Sequence, residues 1–152
     1  MTEACSGNYD NNEIAKIKEY NSLMENYKEA LCGLIDHVNN LNVVPLKIKF
    51  QIPFIKKYIN DDENDSDVLG NGLCYLLENK DVILNFNLDN VFDFNENYKK
   101  ISSQNQFLDL IDEFINSIKQ NKNKISKKNI KITKKIFEYI FEILEKINTI
   151  FS

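Results

Sequence analysis

The side chains able to do chemistry are few. Cys5, Cys32 and Cys74 are odd in number and widely separated, and His37 is the single imidazole. Zinc sites draw their ligands from close pairs, so these four residues do not form one. Cys32 and Cys74 lie inside apolar runs, where a thiol fills core volume. His37 falls on a helix-forming stretch and reads as a boundary residue rather than a general base. No nucleophile, base and anion site can be assembled from this set, so neither catalysis nor a cofactor is expected.

Two short motifs invite a ligand. Asp61, Glu63 and Asp65 alternate as in a calcium loop, but Ser66 and Gly72 stand where an EF-hand needs Gly at the sixth place and Glu at the twelfth. The acidic run Asp61-Asp62-Glu63-Asn64-Asp65-Ser66-Asp67 therefore reads as a solvated loop. Gly70-Asn71-Gly72 lacks the third glycine and the βαβ setting of a dinucleotide loop, and is read as a turn.

Charge is unevenly placed. All 19 basic residues are Lys, with 23 Asn and 20 Ile beside them and no Arg. Without Arg there is no planar bidentate clamp for phosphate or carboxylate. Residues 119–135 hold eight Lys and no acid, which leaves −12 on the rest of a chain whose net charge is −4. Such a stripe could meet nucleic acid phosphates or steer an acidic partner. With no aromatic residue interleaved it reads as a solvated face, and nucleic acid is not an expected partner.

What must position these groups follows from periodicity. A chain of 152 residues with 43% apolar and 28% charged residues suits a single domain, residues 1–152, with its own core. Over residues 12–42, Ile17, Tyr20, Met24, Tyr27, Leu31, Leu34, Val38 and Leu41 alternate steps of three and four, the mark of a helix offering a narrow seam to a partner. Leu46, Ile48, Phe50, Ile52 and Phe54 then alternate with Lys47, Lys49, Gln51 and Pro53, which predicts a half-buried strand ended by Pro53. Leu73 to Leu77, Leu84-Phe86-Leu88 and Val91 to Phe94 supply further extended segments, so residues 43–95 are predicted to be a small β region. Residues 104–151 return to a helical period, as one helix or as two meeting near residue 123. The expected class is α+β.

No run approaches the roughly 18 apolar residues of a membrane span, and the polar, acidic N-terminus lacks the pattern of a signal peptide. A soluble, cytoplasmic protein is expected, with no membrane partner.

The order of elements, with the words Val44-Pro45-Leu46 and Phe50-Gln51-Ile52-Pro53, resembles the prefoldin subunits, most of all the fifth subunit of the alpha class. Tyr27-Lys28-Glu29-Ala30 and Gly70-Asn71-Gly72-Leu73-Cys74-Tyr75 are similar to further family segments. The resemblance implies an antiparallel coiled coil of the terminal helices joined by a β-hairpin region. Six subunits would join their hairpins, here through Leu46, Ile48, Phe50, Ile52, Leu73, Tyr75, Leu84 and Phe86. It implies an ATP-independent co-chaperone whose partners are other prefoldin subunits, unfolded client proteins such as actin or tubulin, and the cytosolic chaperonin.

Two arrangements of the C-terminal third follow. If residues 12–42 pair with a helix starting near Gln104, roughly 17 residues overhang at 1.5 Å each. The overhang would expose Ile136, Phe137, Ile140, Phe141, Leu144, Ile147 and Phe151 to grip clients. Alternatively the chain folds back at residues 120–126 into a three-helix bundle with a small sheet, in which these residues are core. The second arrangement describes a helical protein-interaction module of an unrelated family, such as a viral or parasite adaptor.

Overall fold

The structure, a computed structural model, describes residues 11–85 and 106–151. Its longest element, α1 (Asn11–Asn40), carries the predicted seam, and Met24, Tyr27, Leu31, Leu34 and Val38 are buried along it. Lys28 and Ile35 are buried as well, which widens the seam into a face that several elements cover. At its C-terminal end Leu41 N–H bonds the Val38 carbonyl, and Asn42 takes the left-handed conformation (φ 59°) that asparagine tolerates. Val43-Val44-Pro45 then turns the chain.

Residues 46–84 fall in short helices and the turns between them, and no strand occurs among the described residues. The short α2 (Leu46–Lys49) follows Pro45, and α3 (Ile52–Asn60) takes Pro53 into its first turn, where no intrahelical N–H is needed. Proline therefore opens a helix here and does not close a strand. Asp61 accepts the Glu63 N–H at 3.0 Å at the start of a 3-10 turn (Asp62–Asn64). The helix α4 (Asp65–Asn71) has Asp65 and Asp67 in its first turn, where carboxylates face the positive end of the helix dipole. The acidic run is thus largely a helix start rather than an open loop.

A π-helical turn (Gly72–Leu77) and α5 (Lys80–Leu84) follow. Gly70-Asn71-Gly72 makes no turn: Gly72 has ordinary helical angles (φ −61°, ψ −46°). Its lack of a Cβ serves packing, since a Cβ there would collide with the Tyr27 hydroxyl. The α+β expectation is corrected on these grounds. Leu46 to Phe54 and Leu73 to Leu77 lie in helical turns, Leu84 ends a helix, and Phe86, Leu88 and Val91 to Phe94 lie outside the described residues.

The C-terminal third is two helices, α6 (Gln106–Gln120) and α7 (Lys127–Ile150). Between them are a 3-10 turn (Lys122–Lys124) and Ser126, whose Oγ accepts the Asn129 N–H at 3.1 Å and caps α7. Helices α1 and α7 run antiparallel. His37 Nε2 lies 2.9 Å from Thr133 Oγ1 near one end, and the Tyr20 and Phe151 rings meet edge-on, with centroids 5.3 Å apart, at the other. α7 also packs on the π-turn and α5, while α3 and α6 pack on α1. One core gathers Tyr27, Leu31, Ile35, Phe107, Phe114, Phe137 and Phe141 from these elements.

Candidate interaction surface

The period-two run conceals two helical series. Ile48, Ile52, Ile55 and Ile59 are buried, stepping by four, three and four. Leu46, Phe50 and Phe54 step by four, out of phase with the first series by two, and are 70%, 74% and 73% exposed. Superposed, the two series alternate like a strand, although each is a helical face. Leu46 lies on α2, Phe50 in the turn that follows it and Phe54 on α3, so the three exposed side chains fall within one short helical stretch. Large apolar groups at that exposure, next to one another, mark an interaction surface more often than chance.

The same segment is rich in lysine. Residues 37–60 contain Lys47, Lys49, Lys56 and Lys57 and no acid. Lys56 is matched by Asp36, with Nζ–Oδ distances of 2.9 and 3.0 Å, whereas Lys47 and Lys57 are exposed. Topology brings the eight lysines of residues 119–135 to the same end of the molecule. The His37–Thr133 contact sets the C-terminal turns of α1 beside the first turns of α7, and α6 ends just before α7 begins. The two stretches together hold 12 Lys and no acid, so the rest of the chain carries −16. A chain with a net charge of −4 thereby has one strongly basic, apolar end.

The side chains expected at a free tip lie elsewhere. Phe137, Ile140, Phe141, Leu144 and Ile147 are buried in the bundle and Ile136 is half-buried, because α7 runs back along α1 instead of beyond it. Phe151 alone is exposed, and it rests beside Tyr20. Of the residues expected to join hairpins, Ile48, Ile52 and Tyr75 are buried, Leu73 and Leu84 are half-buried, and Leu46 and Phe50 are exposed. Phe86 lies outside the described residues. Phe54 and the flanking lysines, placed by the sequence in a strand, were not read as site residues, although a four-residue step from Leu46 was the available signal.

Depressions elsewhere on the surface include two built from spent or weak groups. An open groove of about 770 Å³ between α1 and the acidic segment has Tyr20, Met24 and Cys32 on its walls. Its carboxylates Asp62 and Asp65 both pair with Lys28, the former at 2.9 Å. Burial raises the Cys32 thiol above its ordinary value and leaves it less reactive. At the far end, Ile17, Tyr20, Ile150 and Phe151 line a small apolar cleft of about 280 Å³. No group of three or more His, Cys, Asp or Glu able to hold a metal occurs among the described residues. None of their helices is long and apolar enough to cross a membrane.

Comparison with protein-family models, with curated proteins and with solved structures finds no match to this chain. The prefoldin resemblance has no support from those comparisons, and the described part of the hairpin region it requires is helical.

Proposed function

We propose that the protein is a non-catalytic docking module, a helical bundle that attaches through its lysine-rich, apolar end to an anionic partner surface. The observation that carries this reading is the placing of two acid-free lysine stretches at the same end of the bundle as the exposed Leu46, Phe50 and Phe54. Covering a Leu or Phe side chain is worth about 1.5–3 kcal/mol, so these three supply affinity. The lysines supply approach rate and orientation through a field that salt screens within roughly 10 Å. Capture of unfolded clients at a free helical tip is not carried forward, because the side chains that would do it are core.

Titration with polyglutamate, a soluble polyanion, tests the charge half of the reading. Binding should weaken steeply with salt and fall when Lys47, Lys49 and Lys57 are changed to Gln. Binding that ignores those substitutions, or none at low salt, would contradict it.

A further inference from the structure

The docking end has exposed apolar side chains as well as a charge, and resting on the reading above, we infer that its partner is an anionic phospholipid surface into which Leu46, Phe50 and Phe54 insert. These side chains are 70–74% exposed, and none of them lines the groove beside the acidic segment or the cleft at Phe151. Exposed apolar side chains on a helical segment that also carries lysines are the arrangement by which a protein lies on a membrane without spanning it. The absence of an apolar span excludes none of this, since insertion to the acyl boundary requires only a few side chains.

The basic groups also suit a diffuse anionic surface. Lysine is a point charge without the fork that reads one phosphate or one base edge, and the chain has no Arg at all. The lysines are spread over α2, α3, the α6–α7 turn and the first turns of α7 instead of forming one file along a helix. Such a spread matches a sheet of headgroups better than a single polyanionic strand.

Charge polarity sets the orientation. The acidic residues 61–67 lie level with Lys28, which pairs with Asp62 and Asp65. From Lys28 to the C-terminal end of α1 is about 18 Å at 1.5 Å per residue, more than a screening length at physiological salt. With the lysine end down, the carboxylates of that segment stand outside the range where headgroups would repel them.

Flotation of the full chain with vesicles decides the matter. Vesicles of phosphatidylcholine mixed with phosphatidylserine should carry the protein, and pure phosphatidylcholine should bind it at least about ten-fold more weakly. Phe50→Ser with Phe54→Ser should lower binding about ten-fold or more while the helical signal and unfolding midpoint stay unchanged. Lys47→Gln, Lys49→Gln and Lys57→Gln together should lower it about a hundred-fold. Equal binding to both vesicles, or indifference to the Phe substitutions, overturns the inference. So does tighter binding to a single-stranded oligonucleotide, or a dimer in sedimentation that the Phe substitutions dissociate. Polyglutamate binding without vesicle binding overturns the lipid partner and leaves the docking reading standing; loss of both removes the two together.

Discussion

Tyr27 Oη donates a 3.0 Å hydrogen bond to the Val68 carbonyl and occupies the space where a Cβ on Gly72 would sit. The fully buried phenol joins α1 to the middle of α4, and glycine is what lets it through. Gly72→Ala must displace this ring and should destabilise the fold by about 2–3 kcal/mol. Tyr27→Phe should cost about 1 kcal/mol through the lost hydrogen bond. The double variant should lose less than the sum, because removing Oη relieves part of the collision. Urea unfolding of the three variants gives these values, and strict additivity would contradict the contact.

Alkali should unfold the protein early. The hydrogen bond to Asp67, and then partial burial, push the Tyr58 phenol up to about 12 from its ordinary 10.0. Burial raises Tyr27 and Tyr75 further, with Asp112 also acting on Tyr75. The native state keeps these protons while the unfolded chain releases them, so their contribution is complete below pH 10 and is lost as pH rises. For Tyr58 the window is pH 10 to 12. Stability measured across that window should fall less steeply in Tyr58→Phe, and an unchanged slope would count against the Tyr58–Asp67 bond.

Thr133 Oγ1 donates to the Asn129 carbonyl at 2.8 Å, which commits its only proton. His37 Nε2, at 2.9 Å from the same oxygen, must then be the donor. Neutral His37 should therefore carry its proton on Nε2, which nitrogen chemical shifts report directly; a proton on Nδ1 would mean that Thr133 Oγ1 donates to His37 and not to the Asn129 carbonyl. Thr133→Val removes the acceptor while keeping the branched shape, and should cost about 1 kcal/mol.

The C-terminal helix gives the largest effect. Phe141→Ala should cost about 3–5 kcal/mol, since the ring is 1% exposed and stacks on Phe137 with centroids 6.0 Å apart. Deleting residues 136–152 should abolish cooperative unfolding. A truncated protein that still unfolds cooperatively near the parent midpoint would restore the free-tip arrangement.

Much of the helical frame was legible. The three-four spacing from Met24 to Val38 placed α1, and the apolar band from Ile136 to Ile147 marked a helix wide enough to face more than one neighbour. Which neighbour it meets was not legible, because burial against α1 and free projection demand the same apolar residues. The break at residues 120–126 was visible as a polar stretch, and its decisive residue is Ser126 as a cap. The middle third misled for a stated reason: a buried face at Ile48, Ile52, Ile55 and Ile59 and an exposed one at Leu46, Phe50 and Phe54 sum to a strand-like alternation. An apolar residue on a solvent face violates the pattern that sequence reading assumes, and that violation is the candidate site itself.

Paired serine substitutions test the account most directly, because they separate the two faces on one segment. Polyglutamate and anionic-vesicle binding are measured for Phe50→Ser/Phe54→Ser and unfolding midpoints for this variant and for Ile52→Ser/Ile55→Ser. The first should keep the parent midpoint and lose vesicle binding, while the second should unfold. Collapse of the Phe pair, or a stable Ile pair, would contradict the division of residues 46–60 into a buried and a docking face.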